Sequence, residues 1–249
     1  MKKLIALVCL LVSPVLVAED CVVLLHGLAR VSDSMAELER KLERSGMRSV
    51  NISYPSRRHP IAELARDAVG RGLAAWRDTA EGGASGAEGA INSAETNSPS
   101  RIHFVTHSLG GILLRVYLQD QAIPELGRVV MLGPPNQGSS LAQGLKGVPG
   151  FGFLGPAGQA LGTDDESIIN ELGPVDFELG VIAGDLALNP LGLLLIDGPN
   201  DSVVSVESTR VAGMKEHITL PVMHTLMMRD NEVIDHSIHF LKTGNFIPQ

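Results

Sequence analysis

Short apolar, β-branched runs alternate along this chain with stretches whose apolar residues recur at helical spacing, and few architectures accept that alternation. Strands are expected at 21–25, 49–53, 102–106, 128–132, 177–183 and 217–222. Runs this apolar need cover on both faces, so they predict a mostly parallel central sheet with helices on either side, an α/β fold. The first helix can be capped by Ser32 or Asp33 and run to about Ser45, with Met35, Leu38 and Leu42 on one face and Gly46 as its stop. The next, over 61–76, gathers Ile61, Leu64, Ala65, Ala68, Val69, Leu73 and Trp76 near one stripe. Further helices are expected at 110–119 and 230–241. A chain of 249 residues, 44% hydrophobic, suffices for one such domain with its own core and is too short for two comfortable ones.

Three segments fall outside this pattern. Residues 1–18 carry Lys2 and Lys3, an apolar run and a helix-breaking Pro14, which predicts a secretory signal peptide ahead of a domain at 19–249. The apolar stretch is too short and too interrupted for a spanning helix, which needs about 20 residues. An exported product, periplasmic or secreted, is the expectation. Residues 78–100 hold Gly, Ala, Ser, Asn and Glu with almost no bulky apolar side chain, and predict a flexible surface insertion. Residues 139–175 mix glycines and prolines with Phe151, Phe153 and Leu154, a composition suited to a partly apolar flap over a site and hence a lid candidate.

Removal of the leader would take Cys9 with it and leave Cys21 alone, so no intramolecular disulfide is expected and stability must come from packing. It would also remove two lysines and move the formal net charge of −8 further negative, which argues against nucleic acid as a partner. The Arg57-Arg58-His59 cluster, bracketed by Pro55 and Pro60, reads as a solvated loop.

The chemistry concentrates in Thr106-His107-Ser108-Leu109-Gly110-Gly111, which closes a strand-like run and opens a helix-like one. That context defines a nucleophile elbow, a tight turn presenting Ser108 with small residues beside it and the helix N-terminus behind it. The segment resembles the nucleophile region of bacterial lipases and esterases of the α/β-hydrolase superfamily, with Thr106 standing where their commonest pattern has glycine. That resemblance implies a triad in the chain order serine, acid, histidine. Gly198-Pro199-Asn200-Asp201-Ser202-Val203-Val204 is similar to the family's acid loop, and His224, past the last strand, stands where the family has its base. Asp185 and Asp197 are the fallback acids. Leu25-His26-Gly27-Leu28 resembles the oxyanion loop, so the backbone N–H groups of Leu28 and Leu109 are the expected oxyanion donors. His26, Gly27 and His107, with Pro135 and Asn136 of Leu132-Gly133-Pro134-Pro135-Asn136-Gln137-Gly138, are the expected substrate-binding residues.

A serine hydroxyl attacks only when a histidine takes its proton and a carboxylate fixes that histidine's tautomer, which is why three distant residues must be chosen together. The resemblance therefore implies a carboxylic ester hydrolase, with a small-molecule or lipid ester as substrate and room for transient membrane-surface contact through the lid. Acyl transfer or thioester cleavage, and lipid or partner binding without catalysis, are the rival readings. Leu226 stands two residues after His224, where many calcium-dependent lipases have aspartate, and no metal is expected; no phosphate cradle or dinucleotide fingerprint indicates a cofactor.

Overall fold

The computed structural model describes residues 20–82, 101–164 and 167–248. The expected leader at 1–18 and positions 83–100 of the expected insertion lie outside them. The described chain runs through β1 (Cys21–Leu25), a 3-10 turn at Ser32–Met35, α1 (Ala36–Arg44), β2 (Arg48–Ile52), α2 (Ile61–Gly82), β3 (Ile102–His107), α3 (Leu109–Asp120) and β4 (Leu126–Leu132). Then follow α4 (Ser140–Gly144), a 3-10 turn at Phe151–Leu154, α5 (Gly155–Gln159), β5 (Leu179–Gly184), α6 (Pro190–Leu195), β6 (Glu216–Leu220) and α7 (Asn231–Thr243).

The strands form a six-stranded sheet in the order β2-β1-β3-β4-β5-β6, with each neighbouring pair parallel. Strict alternation along β1 divides the core. Cys21, Val23 and Leu25 meet Leu64, Ala68 and Val69 of α2 and Ile112 and Leu113 of α3 on one face. On the other, Val22 and Leu24 meet Leu38 and Leu42 of α1 and Val233, Ile234 and Phe240 of α7. Each such side chain taken from water stabilises the fold by roughly 1.5–3 kcal/mol, so the two apolar faces hold the helices without any disulfide. Register sets the level of the strand ends: Leu25 of β1 lies beside Thr106 of β3, and His107 beside Leu132 of β4. The loops leaving β1, β3 and β4 therefore emerge together at the carboxyl edge, where sites gather in open parallel sheets.

Several boundaries differ from those the sequence predicts. Neither Ser32 nor Asp33 caps a helix; a 3-10 turn without a side-chain cap leads into α1 instead. Helix α2 runs past Trp76 to Gly82, into the expected insertion, because the Arg, Ala and Glu residues there favour helix without an apolar stripe. Strand β6 stops at Leu220, before Pro221, which has no N–H to give a ladder. Asp230 caps α7, its Oδ1 accepting from the N–H groups of Glu232 (2.9 Å) and Val233 (3.1 Å). Among the described residues no helix is long and apolar enough to cross a membrane.

Candidate active site

Between β3 and α3 the chain turns at a single residue, Ser108, with φ 52° and ψ −118°. A non-glycine residue held there costs on the order of 1–3 kcal/mol and persists only where its surroundings fix it. They do: Ser108 N–H donates to Leu132 O at 2.9 Å, and Gly111 N–H to Ser108 O at 3.0 Å. The turn brings α3 so close to β1 that a Cβ on Gly110 would lie 2.5 Å from Leu25 O, so glycine is required there. Thr106, the bulkier residue upstream, is fully buried beneath Gly111 and leaves the turn intact.

His224 and Asp201 are in contact. The imidazole Nδ1 lies 2.6 Å from Asp201 Oδ2, and both side chains are buried. Asp201 Oδ1 accepts from the N–H groups of Val203 (3.0 Å) and Val204 (2.8 Å), and His224 N–H donates to Asp201 O at 3.1 Å. Asp201 thus accepts three hydrogen bonds through its carboxylate, which has no proton of its own to give. The proton between the pair therefore sits on His224 Nδ1, and Nε2 is left as the basic nitrogen. The fallback acids Asp185 and Asp197 are exposed.

Ser108 and His224 line one cavity of about 240 Å³. Among the described residues no hydrogen bond joins the Ser108 hydroxyl to the imidazole; both residues line the cavity. The rest of the lining is mainly apolar, with Leu28, Val203 and Val204, and with Leu141, Leu145, Phe151, Leu154 and Leu161 from the 139–175 segment. Such a surface takes up hydrocarbon by releasing water.

The other expected site residues divide into two groups. His107 and Pro135 line the cavity; His26, Gly27 and Asn136 do not. His26 is buried and stacked on Tyr54 with ring centroids 3.9 Å apart, its Nδ1 2.9 Å from Gly27 O and its Nε2 accepting from Tyr54 N–H at 3.2 Å. Tyr54 Oη donates to His26 O in return. Gly27 is where the loop after β1 touches the elbow, since a Cβ there would lie 2.6 Å from His107 Nδ1 and 3.3 Å from Ser108 Cβ. Asn136 spends its polar atoms on Arg115 and on Thr209 O. The side chains of His26 and Asn136 brace loops, and their bonds to Tyr54, Arg115 and Thr209 run to residues far away in sequence, so no local pattern announces them.

His107 has a similar bracing part. Its Nε2 lies 2.9 Å from His224 O, and a carbonyl only accepts, so the proton is on Nε2 and Nδ1 is bare. Burial, and then the neighbouring His224 charge, hold its pKa well below the ordinary histidine value, so the ring stays neutral. Sequence reasoning missed Tyr54, Ser56 and Arg30. Ser56 Oγ accepts from Ala29 N–H at 3.0 Å and Arg30 lines the cavity, but neither belongs to a motif. Among the described residues no group of three His, Cys, Asp or Glu side chains converges as a metal site.

The parallel sheet, its two helical layers and the elbow between β3 and α3 are those of the α/β-hydrolase fold, and solved structures with that fold superpose on the chain. A mature lipase from Bacillus licheniformis matches with a TM-score of 0.66 at 18% identity, over 92% of this chain and 93% of its own. A thermophilic esterase from Thermogutta terrifontis matches with a TM-score of 0.56 at 12% identity, over 92% of each chain. A phospholipase from Legionella pneumophila matches with a TM-score of 0.55 at 20% identity over 76% of this chain, which spans only 45% of that protein. No protein-family model and no curated protein matches the sequence.

Proposed function

We propose that this chain is an exported carboxylic ester hydrolase acting on lipid-like esters through Ser108, His224 and Asp201. One observation carries the reading: a buried carboxylate-imidazole pair, 2.6 Å apart, opens onto the same apolar cavity as a serine on a strained strand-to-helix turn. In this mechanism His224 Nε2 takes the Ser108 proton as Oγ attacks the ester carbonyl. The tetrahedral oxyanion is received by the N–H groups of Leu28, which no other group engages among the described residues, and of Leu109 at the start of α3. His224 returns the proton to the leaving alcohol, and Asp201 stabilises the imidazolium in between. Water, deprotonated by the same imidazole, then attacks the acyl-enzyme and releases the acid.

The apolar lining supports a hydrocarbon acyl chain, and the 139–175 segment that supplies much of it serves as the lid. The lipase and esterase neighbours support the same chemistry, and the leader-like sequence of 1–18 supports export. The test is covalent labelling with a fluorophosphonate probe beside turnover of a panel of esters of increasing acyl length. The full chain should label and hydrolyse, and Ser108→Ala should do neither. Labelling of the alanine variant, or inertness of the parent towards every ester and the probe, overturns the reading; release of products by transfer to an added alcohol or thiol in place of water would instead identify an acyltransferase.

A further inference from the structure

Beside the apolar cavity lies a second groove, formed by the loop after β1 and the loop between β2 and α2. Ala29, Arg30 and Val31 form one wall, and Ser53–Arg58 the other. Arg30 belongs to both spaces: it lines the groove and also the cavity that contains Ser108 and His224. We infer that Arg30, Arg57 and Arg58 form a binding site for an anionic phosphate group on the alcohol side of the ester, so that the substrate class is an acyl ester carrying a phosphate.

Four observations support this assignment, which rests on the esterase reading of the Ser108 cavity. First, three arginines line one groove, and among the described residues none of the three forms an ion pair, in a chain of formal net charge −8. The nearby carboxylate of Glu63 is taken by His59, 2.8 Å away. Guanidinium groups without acidic partners suit planar, charge-assisted recognition of phosphate oxygens. Second, the groove is built before any ligand arrives. Tyr54 Oη bonds to His26 O, Tyr54 N–H to His26 Nε2, and Ala29 N–H to Ser56 Oγ, so its two walls are joined at their bases. Third, the groove connects to the acyl wall. The Arg57 guanidinium lies 4.3 Å from the ring centre of Phe153, in the segment whose Phe151 and Leu154 line the cavity. Fourth, the Arg30 charge reaches the site itself, being among the influences that depress the His107 pKa. Leu28 lines the apolar cavity, Ala29 and Val31 line the arginine groove and Arg30 lines both, an arrangement that divides an ester into an acyl half and a charged alcohol half.

Hexanoylglycerol 3-phosphate and monohexanoylglycerol test this, because they share an acyl chain and an ester and differ in the phosphate. A hydrogen bond to a charged group contributes enough for roughly a tenfold change in affinity. For the full chain, kcat/KM should therefore favour the phosphate-bearing ester by about tenfold or more, less at high salt because the arginines face water. Arg30→Gln, and Arg57→Gln combined with Arg58→Gln, should each bring the ratio of the two kcat/KM values close to unity. The Arg57→Lys, Arg58→Lys pair should keep part of the preference, since the charge remains; a merely structural role would lower both esters together and leave the ratio unmoved.

Calorimetry on the Ser108→Ala chain reads the same preference as a ratio of dissociation constants, with no dependence on turnover. Equal Kd values for the two esters there overturn the arginine site, whatever the enzyme hydrolyses. A preserved Kd preference with neither ester hydrolysed leaves the phosphate site standing and overturns the esterase reading instead. Inorganic phosphate and glycerol 3-phosphate separate the sources of the anion: binding of inorganic phosphate with no preference between the esters marks a free-phosphate site and overturns the assignment to substrate.

Discussion

Replacing Asp201 by asparagine keeps the size of the side chain and reverses one hydrogen bond. The N–H groups of Val203 and Val204 sit 3.0 and 2.8 Å from Asp201 Oδ1 and need an acceptor, so the asparagine carbonyl oxygen must face them. Its NH2 is then directed at His224 Nδ1, across the 2.6 Å now spanned by the native bond. Two donors cannot face each other at that distance, so Nδ1 gives up its proton and Nε2 acquires one. The nitrogen that should take the Ser108 proton is then already protonated. The corresponding wrong-tautomer change in serine proteases lowers kcat by about 10⁴, equivalent to about 5.5 kcal/mol in the barrier, and a loss of that order is expected here. Stability should suffer far less, because both backbone donors stay satisfied and only one charge-assisted bond is lost, at about 1.5–3 kcal/mol. The assay is kcat on a saturating soluble ester with the rate of fluorophosphonate labelling, beside a denaturant titration showing a folded variant. The same substitution at exposed Asp197 tests the rival acid and should retain most of the rate. A folded Asp201→Asn variant within tenfold of the parent in both measurements would refute the tautomer argument.

Gly27→Ala would place a methyl 2.6 Å from His107 Nδ1, and that ring cannot retreat without giving up its bond to His224 O. The oxyanion loop must move instead, so kcat should fall by about 10² or more and unfolding free energy by about 1–3 kcal/mol; unchanged kinetics in a folded variant would contradict it. Acid should weaken the fold through buried His107 and half-buried His217. Burial holds His107 well below its ordinary pKa, and burial followed by the Arg210 charge lowers His217 to about 4. The native state therefore binds fewer protons on these rings than the unfolded chain, and their contribution is full above about pH 6.5 and lost as pH falls below it, at up to about 1.4 kcal/mol per unit and per group. Urea midpoints between pH 7.5 and 5 should decline accordingly, and His107→Gln should flatten the decline; a midpoint independent of pH over that range would refute the linkage.

The parts of this molecule legible in its sequence are those whose cause is local. The change of period at Ser108, from a buried β-branched run to a helical stripe, lies within a few residues, and β3 and α3 follow within one or two positions of where it puts them. Short helices such as α4 and α5, five residues each, show no stripe because they end before an apolar face can recur. The Gly192-Leu193-Leu194-Leu195-Ile196 run could be read as core or flap; the structure buries Ile196 and leaves Leu193 and Leu194 exposed. His26 and Asn136 illustrate the limit more sharply. Their places beside the expected site follow from the motifs, but what their polar atoms do depends on Tyr54, Arg115 and Thr209, which only the tertiary fold brings near.

These braces also explain how three loops from different strands hold the arrangement that the proposed mechanism requires. Ser108 is fixed by β4 through Leu132 O, and the neighbouring His107 reaches across to the carbonyl of His224, so the Ser108 turn and the His224 loop are joined through one rigid ring. The same ring abuts Gly27, which places the loop after β1 in register with both. His26, stacked on Tyr54, then secures that loop from behind. A displacement at any one of these contacts is therefore passed to the others by contact between stiff groups, and the bare, buried Nδ1 of His107, which has no partner among the described residues, is the polar cost of placing that ring at their junction.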